Sequence, residues 1–132
     1  MSEMNKESVA LIVEDDPDLI HIFARALEIS EYKTHTVSTG EDALKVLAEF
    51  EPDIVVLDLH LPGISGGEIL QTIREDGRLR QTRVILATAD YRTAEDLRDQ
   101  ADLVLLKPIS FKQLRDLSAR FNRMKKTPVS LD

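Results

Sequence analysis

Five short aliphatic runs, Val9–Val13, Thr34–Val37, Ile54–Leu57, Val84–Ala87 and Leu103–Leu106, recur along the chain with helix-length stretches between them. That alternation constrains the fold more than any other feature. Runs of this length are strand-sized, and strands so uniformly aliphatic leave no wet face, which predicts a parallel sheet covered by helices on both sides. The intervening stretches supply the helices. Asp16-Pro17 offers an N-cap followed by proline at the first helical position, and Leu19, Ile20, Ile22, Phe23, Ala26 and Leu27 recur at helical spacing, predicting a helix over 17–29. Gly40–Phe50 reads as a second helix ended before Pro52, and Gly67–Arg74 as a third ended near Gly77. Ser110–Met124 makes the last, with Phe111, Leu114, Leu117 and Phe121 on one side, whereas Thr93–Gln100 leaves space for only about two turns of a fourth.

With 132 residues, 42% hydrophobic and 31% charged, there is material for one core. The reading is therefore a single doubly wound α/β domain over 8–124, a flexible N-terminus at 1–7 and a frayed tail at 125–132, with no room for a separate output domain. Cysteine is absent, which excludes disulfides, thiolate metal sites and cysteine nucleophiles and fits a reducing, cytoplasmic setting. The first eight residues lack the apolar middle of a secretory signal, and no aliphatic run approaches the ~20 residues needed to cross a bilayer. A net charge of −7 opposes general binding to nucleic acid or to anionic membranes. The charge is uneven: 14 acids and four bases occupy 1–60, but seven bases and one acid occupy 107–126. The basic last helix is read mainly as a solvated face, although the polarity of the two ends allows a weak homodimer.

In an open parallel sheet ligands bind at the carboxyl ends of the strands, so the polar residues just beyond each run are the ones to weigh. Run one ends in Glu14-Asp15-Asp16, run three in Asp58, run four in Thr88 and run five in Lys107-Pro108. Helix capping accounts for Asp16 alone, but not for three consecutive acids. Asp58 alone reads as a loop residue, Thr88 as a strand residue and Lys107 as a surface charge. Their conjunction in order reads differently. Several carboxylates in one pocket repel each other and raise the pKa of at least one unless a cation is present, and a hard divalent ion such as Mg2+ suits such oxygen ligands. With an ammonium and a hydroxyl opposite, the set suits phosphoryl transfer to an aspartate. His21 and His35 are read as structural or solvated, and Gly63, Gly66 and Gly67 as turn residues, because neither nucleotide-binding glycine pattern is present.

These residues resemble the receiver domains of bacterial two-component response regulators over about residues 8–123. The likeness rests on Leu-Ile-Val-Glu14-Asp15-Asp16-Pro, Thr39-Gly40-x-x-Ala43-Leu44, Ile-Val-Val-Leu-Asp58-Leu-His-Leu-Pro62-Gly-x-x-Gly66, Leu-Ala-Thr88-Ala89 and Leu-Leu-Lys107-Pro108. It implies a flavodoxin-like five-stranded sheet in order 2-1-3-4-5 and phosphorylation on Asp58. It further implies Mg2+ held by Asp15, Asp58 and the His60 backbone carbonyl, with Glu14 acting through a water, and Thr88 and Lys107 on the phosphoryl oxygens. A cis peptide before Pro108 belongs to the same pattern. His60 and Asp90 fall where the family controls water access to the acyl phosphate, Asp90 as an anion able to orient water. The implied partners are a histidine kinase or histidine phosphotransfer protein and a downstream protein target.

The chain departs from the family at three points. Val104 stands where a tyrosine or phenylalanine switch residue is usual, Thr88 and Lys107 are closer in sequence than usual, and Gln100 replaces a common glycine. Tyr91 is an aromatic that could take over part of the missing role. These departures leave a second reading, a receiver-shaped interaction scaffold with little switching. A third, an aspartyl-phosphate hydrolase, fits less well, because His60 stands where such chemistry commonly needs a second carboxylate. No turnover of an external substrate is expected.

Overall fold

The computed structural model describes residues 7–126. Its strands β1 (Ser8–Val13), β2 (Tyr32–Val37), β3 (Ile54–Asp58), β4 (Arg83–Thr88) and β5 (Leu103–Leu106) form one parallel sheet in the order β2-β1-β3-β4-β5. Between and after them lie α1 (Pro17–Ile29), α2 (Gly40–Glu49), α3 (Gly66–Glu75), α4 (Tyr91–Leu97) and α5 (Phe111–Lys126). The doubly wound, flavodoxin-like architecture is thus present, each strand lying within two residues of its expected bounds. Residues 1–6 and 127–132, which hold most of the expected N-terminus and tail, lie outside the described residues, and α5 runs two residues past its expected end at Met124.

Side chains alternate across the sheet with the two-residue period of a strand, so each strand feeds two cores. Leu11, Val13, Val55, Leu57, Val84 and Leu86 pack on α2, α3 and α4 through Ala43, Leu47, Ile69, Leu70, Ile73 and Ala94. Ala10, Ile12, Ile54, Val56, Ile85 and Ala87 pack on α1 and α5 through Phe23, Ala26, Leu27 and Leu114. The central strands are dry on both faces, as expected. The edge strand β2 is not: Lys33, His35 and Thr36 are exposed, because β2 has a neighbour on one side only and its four central residues, Lys-Thr-His-Thr, are all polar.

The helix starts are capped from the sequence. Asp16 accepts from the Asp18 amide at the start of α1, with Pro17 at the first position, so its role is the cap. Thr39 caps α2, and Ser65 with Glu68 forms a reciprocal capping box on α3. At the opposite end of the sheet Arg74 of α3 donates to the Gln100 carbonyl (2.6 Å), the Thr82 carbonyl (3.1 Å) and Asp102 Oδ2 (3.0 Å). Those bonds hold the 3-10 turn at Arg98–Gln100, which completes the shortened fourth helical region.

Candidate functional site

The sheet order reverses between β1 and β3, so the crevice at their carboxyl ends is where a doubly wound sheet leaves room for a ligand. Glu14 and Asp15 follow β1 directly, and Asp58 is the last residue of β3. One carboxylate oxygen from each of these three lies within 4.8 Å of the others. Glu14 and Asp58 are almost wholly buried, at 1% and 4% exposure, whereas Asp15 is exposed and marks the open side.

Strand register brings the other two groups alongside. Asp58 pairs with Ala87 on β4, so Thr88 lies one residue farther along that strand, fully buried. Thr88 pairs with Leu106 on β5, and the Lys107 amide donates to the Thr88 carbonyl (2.8 Å). The Lys107 ammonium then reaches Glu14 Oε1 at 3.0 Å and Asp58 Oδ2 at 3.5 Å. The Lys107–Pro108 peptide is cis, as the family pattern implies.

Burial pushes the Glu14 carboxyl above its ordinary range, and the nearby Asp58 charge adds to this, outweighing the hydrogen bond from Lys107. Burial opposes the charge on Lys107, but its bond to Glu14 and the field of Asp58 prevail and raise its pKa. The two directions agree physically: anions outnumber the single ammonium, so the cation is secured while one acid remains hard to ionise.

The loop after β3 is shaped by close approach. A Cβ on Gly66 would overlap the Asp58 carbonyl oxygen and come within 2.7 Å of Leu59 Cα, so only glycine lets α3 begin against the end of β3. The Gly66 amide donates to the Leu59 carbonyl (3.1 Å). The next glycine, Gly67, faces ordinary contacts at 3.6 Å and beyond.

His60 and Asp90, placed by resemblance on the water path, touch each other across the rim. His60 Nε2 lies 3.2 Å from Asp90 Oδ2, while the His60 amide donates to Asp58 Oδ1 at 3.1 Å. Asp90 is also the N-cap of α4: Oδ1 accepts from the Thr93 amide (3.1 Å) and Oδ2 from the Thr93 hydroxyl (2.7 Å). These Thr93 bonds, with His60 contributing, hold the Asp90 carboxyl below the usual carboxylate range. Each Asp90 oxygen thus has at least one partner, and the carboxyl remains about one third exposed at the rim. Sequence reading did not find this contact, because the loops carrying residues 60 and 90 meet only through the β3–β4 pairing. The fourth helix begins at Tyr91 rather than at the expected Thr93.

Val104 is partly buried against the α2–α3–α4 core, and Tyr91 is 56% exposed on the first turn of α4. His21 and His35 are exposed, and His35 lies against the Phe50 ring. Among the described residues no helix is long and apolar enough to cross a membrane.

The sequence matches the response regulator receiver domain family over residues 10–119, and the chain belongs to that family. It is 38% identical over 113 residues to the transcriptional regulatory protein AfsQ1 of Streptomyces coelicolor, covering 83% of this chain and 48% of AfsQ1. It is 32% identical over 103 residues to the polar-differentiation response regulator DivK of Brucella ovis, covering 76% of this chain and 84% of DivK. Among solved structures it is similar to the BeF3-activated receiver domain of DrrB, a Thermotoga maritima protein, at 30% identity and a TM-score of 0.79, covering 89% of this chain and 99% of that one. The chain thus spans about half the length of AfsQ1. Phosphorylation-dependent switching is the general function of the family, and its members bind Mg2+ at an acidic pocket of the kind formed by Glu14, Asp15 and Asp58.

Proposed function

We propose that this chain is a signalling switch phosphorylated on Asp58 in a Mg2+-dependent reaction and read out by protein–protein contact. The observation that carries the reading is the convergence of the Lys107 ammonium on Asp58 Oδ2, at 3.5 Å, inside a ring of three carboxylates. The donor is a phosphohistidine on a histidine kinase or phosphotransfer protein. An Asp58 oxygen forms the new bond to phosphorus as the P–N bond breaks, and its electron pair returns to the imidazole nitrogen. Lys107 and Thr88 stand on the side from which the phosphoryl oxygens are countered. The donor set suits Mg2+, since hard carboxylate oxygens exceed the local positive charge and no softer ligand is among them. Asp15, Asp58 and the His60 backbone carbonyl would hold the ion, with Glu14 acting through a water. When bound, it supplies neutralisation of the charge that gathers between donor and acceptor. The chain acts on its own carboxyl group, not on an external substrate, and works in the cytoplasm.

The phosphoryl group adds about −1.5 to −2 charges at neutral pH and biases an existing two-state equilibrium that a partner protein reads. One feature favours a scaffold instead: Val104 lacks the long swing of an aromatic ring. Intact-mass measurement after treatment with a small acyl phosphate separates the two. One phosphoryl addition is expected on the parent with Mg2+, and none on Asp58→Ala or in chelator. An unmodified parent overturns the proposal and leaves the scaffold.

A further inference from the structure

The segment that joins β3 to α3, residues 59–65, carries the His60 carbonyl that the receiver reading assigns to Mg2+. A carbonyl ligand cannot swing on a side chain to meet its ion, because its direction is fixed by the planar backbone on either side. Mg2+ tolerates little departure from octahedral geometry, so whatever fixes this segment governs how well the ion is held. Hydrogen bonds fix only its ends. The His60 amide donates to Asp58 Oδ1 (3.1 Å) and the Gly66 amide to the Leu59 carbonyl (3.1 Å), whereas, among the described residues, Leu61 to Ile64 make no hydrogen bond.

Packing places the middle of the segment, and the element it meets is the first turn of α2. Gly40 is buried so close to Ile64 that a Cβ there would overlap the Ile64 carbonyl oxygen and lie 2.8 Å from Ile64 Cβ. One residue on, the Glu41 carboxylate lies over Gly63: a Cβ on Gly63 would be 2.6 Å from Oε2 and 2.9 Å from Oε1. Gly63 itself has a φ of 77°, a conformation that glycine adopts without strain. The turn that makes both contacts is secured in its own right. Thr39 Oγ1 accepts from the Asp42 amide (3.1 Å), the Thr39 carbonyl accepts from the Ala43 amide (3.1 Å), and Ala43 is wholly buried. Leu61 and Ile64 pack, half-buried, on the same core as α2 and α3.

We infer that Gly40 and Glu41 are positioning residues for the metal site, the first turn of α2 setting the course of residues 60–64 and with it the direction of the His60 carbonyl. The inference rests on the receiver reading, which is what places Mg2+ on that carbonyl. Gly40 acts by lacking a side chain, so that α2 seats directly on the Ile64 backbone. Glu41 acts by filling the space over Gly63 and not as a ligand, since it lies outside the cluster of Glu14, Asp15 and Asp58.

The test is the Mg2+ dissociation constant of the folded protein, measured by calorimetric titration with MgCl2, with the folding of each variant checked by circular dichroism. Loss of a contact that orients a metal ligand costs about tenfold or more in affinity, and Gly40→Ala is expected to weaken Mg2+ binding by about tenfold. Glu41→Ala opens space beside Gly63 and is expected to weaken binding by about threefold, because one exposed side chain holds the segment less firmly than a backbone contact. Amide exchange at Gly63 and Ile64 should quicken in the same variant. Glu41→Gln keeps the length and shape of the side chain and is expected to bind Mg2+ like the parent. Gly77→Ala, where a Cβ meets open space, is the control and should also match the parent. A merely structural role would lower the unfolding midpoint and leave the constant of the folded protein unmoved. If Gly40→Ala does not fold, the two Glu41 variants decide the matter. Unaltered binding in folded Gly40→Ala or in Glu41→Ala overturns the inference. Equal losses in Glu41→Gln and Glu41→Ala do the same, because they make charge and not packing the cause. In all those outcomes the parent still binds Mg2+ and the receiver reading stands. A parent that binds no Mg2+, or binds it as well after Asp15→Asn, overturns that reading and the inference with it.

Discussion

Removing the Lys107 ammonium is the sharpest probe of the site, because it is the cation recorded against two nearly buried carboxylates. At the 3.0 Å separation from Glu14, the attraction is about 5.5 kcal/mol at an effective dielectric near 20 and about 1.4 kcal/mol in water. Glu14 is 1% exposed but Lys107 is 21% exposed, so the pair sits between these limits, and desolvation cancels part of the gain. A coupling of about 2 kcal/mol is expected from the double-mutant cycle of Glu14→Gln and Lys107→Met, measured by urea unfolding in chelator. Lys107→Met alone should cost about 3 kcal/mol, since it leaves Glu14 and Asp58 uncompensated, whereas Glu14→Gln leaves Lys107 its partner Asp58. Added Mg2+ should restore more stability to Lys107→Met than to the parent, because it replaces missing positive charge. Coupling below about 0.5 kcal/mol would mean that Lys107 behaves as a solvated surface charge, and the electrostatic account of the pocket would fail.

Two further outcomes follow from local geometry. Gly66→Ala should destabilise the fold by about 1–3 kcal/mol and slow phosphoryl uptake, because its methyl group displaces the Asp58 backbone; Gly67→Ala, facing ordinary contacts, is the control, and equal effects of the two would refute the crowding argument. Tyr32 is buried with its hydroxyl donating to the Ser118 carbonyl (2.9 Å), and burial raises its pKa above the ordinary value of 10.0. The neutral ring is the folded form, so its stabilisation is complete below pH 10 and is lost as pH rises from there toward the higher folded value. Unfolding midpoints from about pH 8 to about pH 11 should fall more steeply for the parent than for Tyr32→Phe, and parallel curves would count against this.

Much of the fold was legible because burial on both faces leaves a direct trace: Ala10–Val13, Ile54–Leu57 and Val84–Ala87 are aliphatic at every position since each residue meets one core or the other. Where only one side is covered the trace weakens. The polar centre of β2, Lys33–Thr36, reflects its edge position, which no local pattern distinguishes from a solvated loop strand. The fourth helix was also hard to bound, since one buried alanine gives no periodicity to read, and its start at Tyr91 is set by a cap that doubles as a rim contact.

The residues that can perform the chemistry are properties of the chain itself: Glu14, Asp15, Asp58, Thr88 and Lys107 each end or follow an aliphatic strand, and a parallel sheet must deliver all such positions to one edge. What only the packed structure decides is how those groups share their bonds. Residues 14 and 107 are 93 positions apart, and 60 and 90 are 30 apart, so the secured ammonium and the His60–Asp90 contact arise from strand order and register. Periodicity records which face of an element is buried, but a hydrogen bond between two loops depends on ångström-scale distances that exist only after the sheet has closed around them.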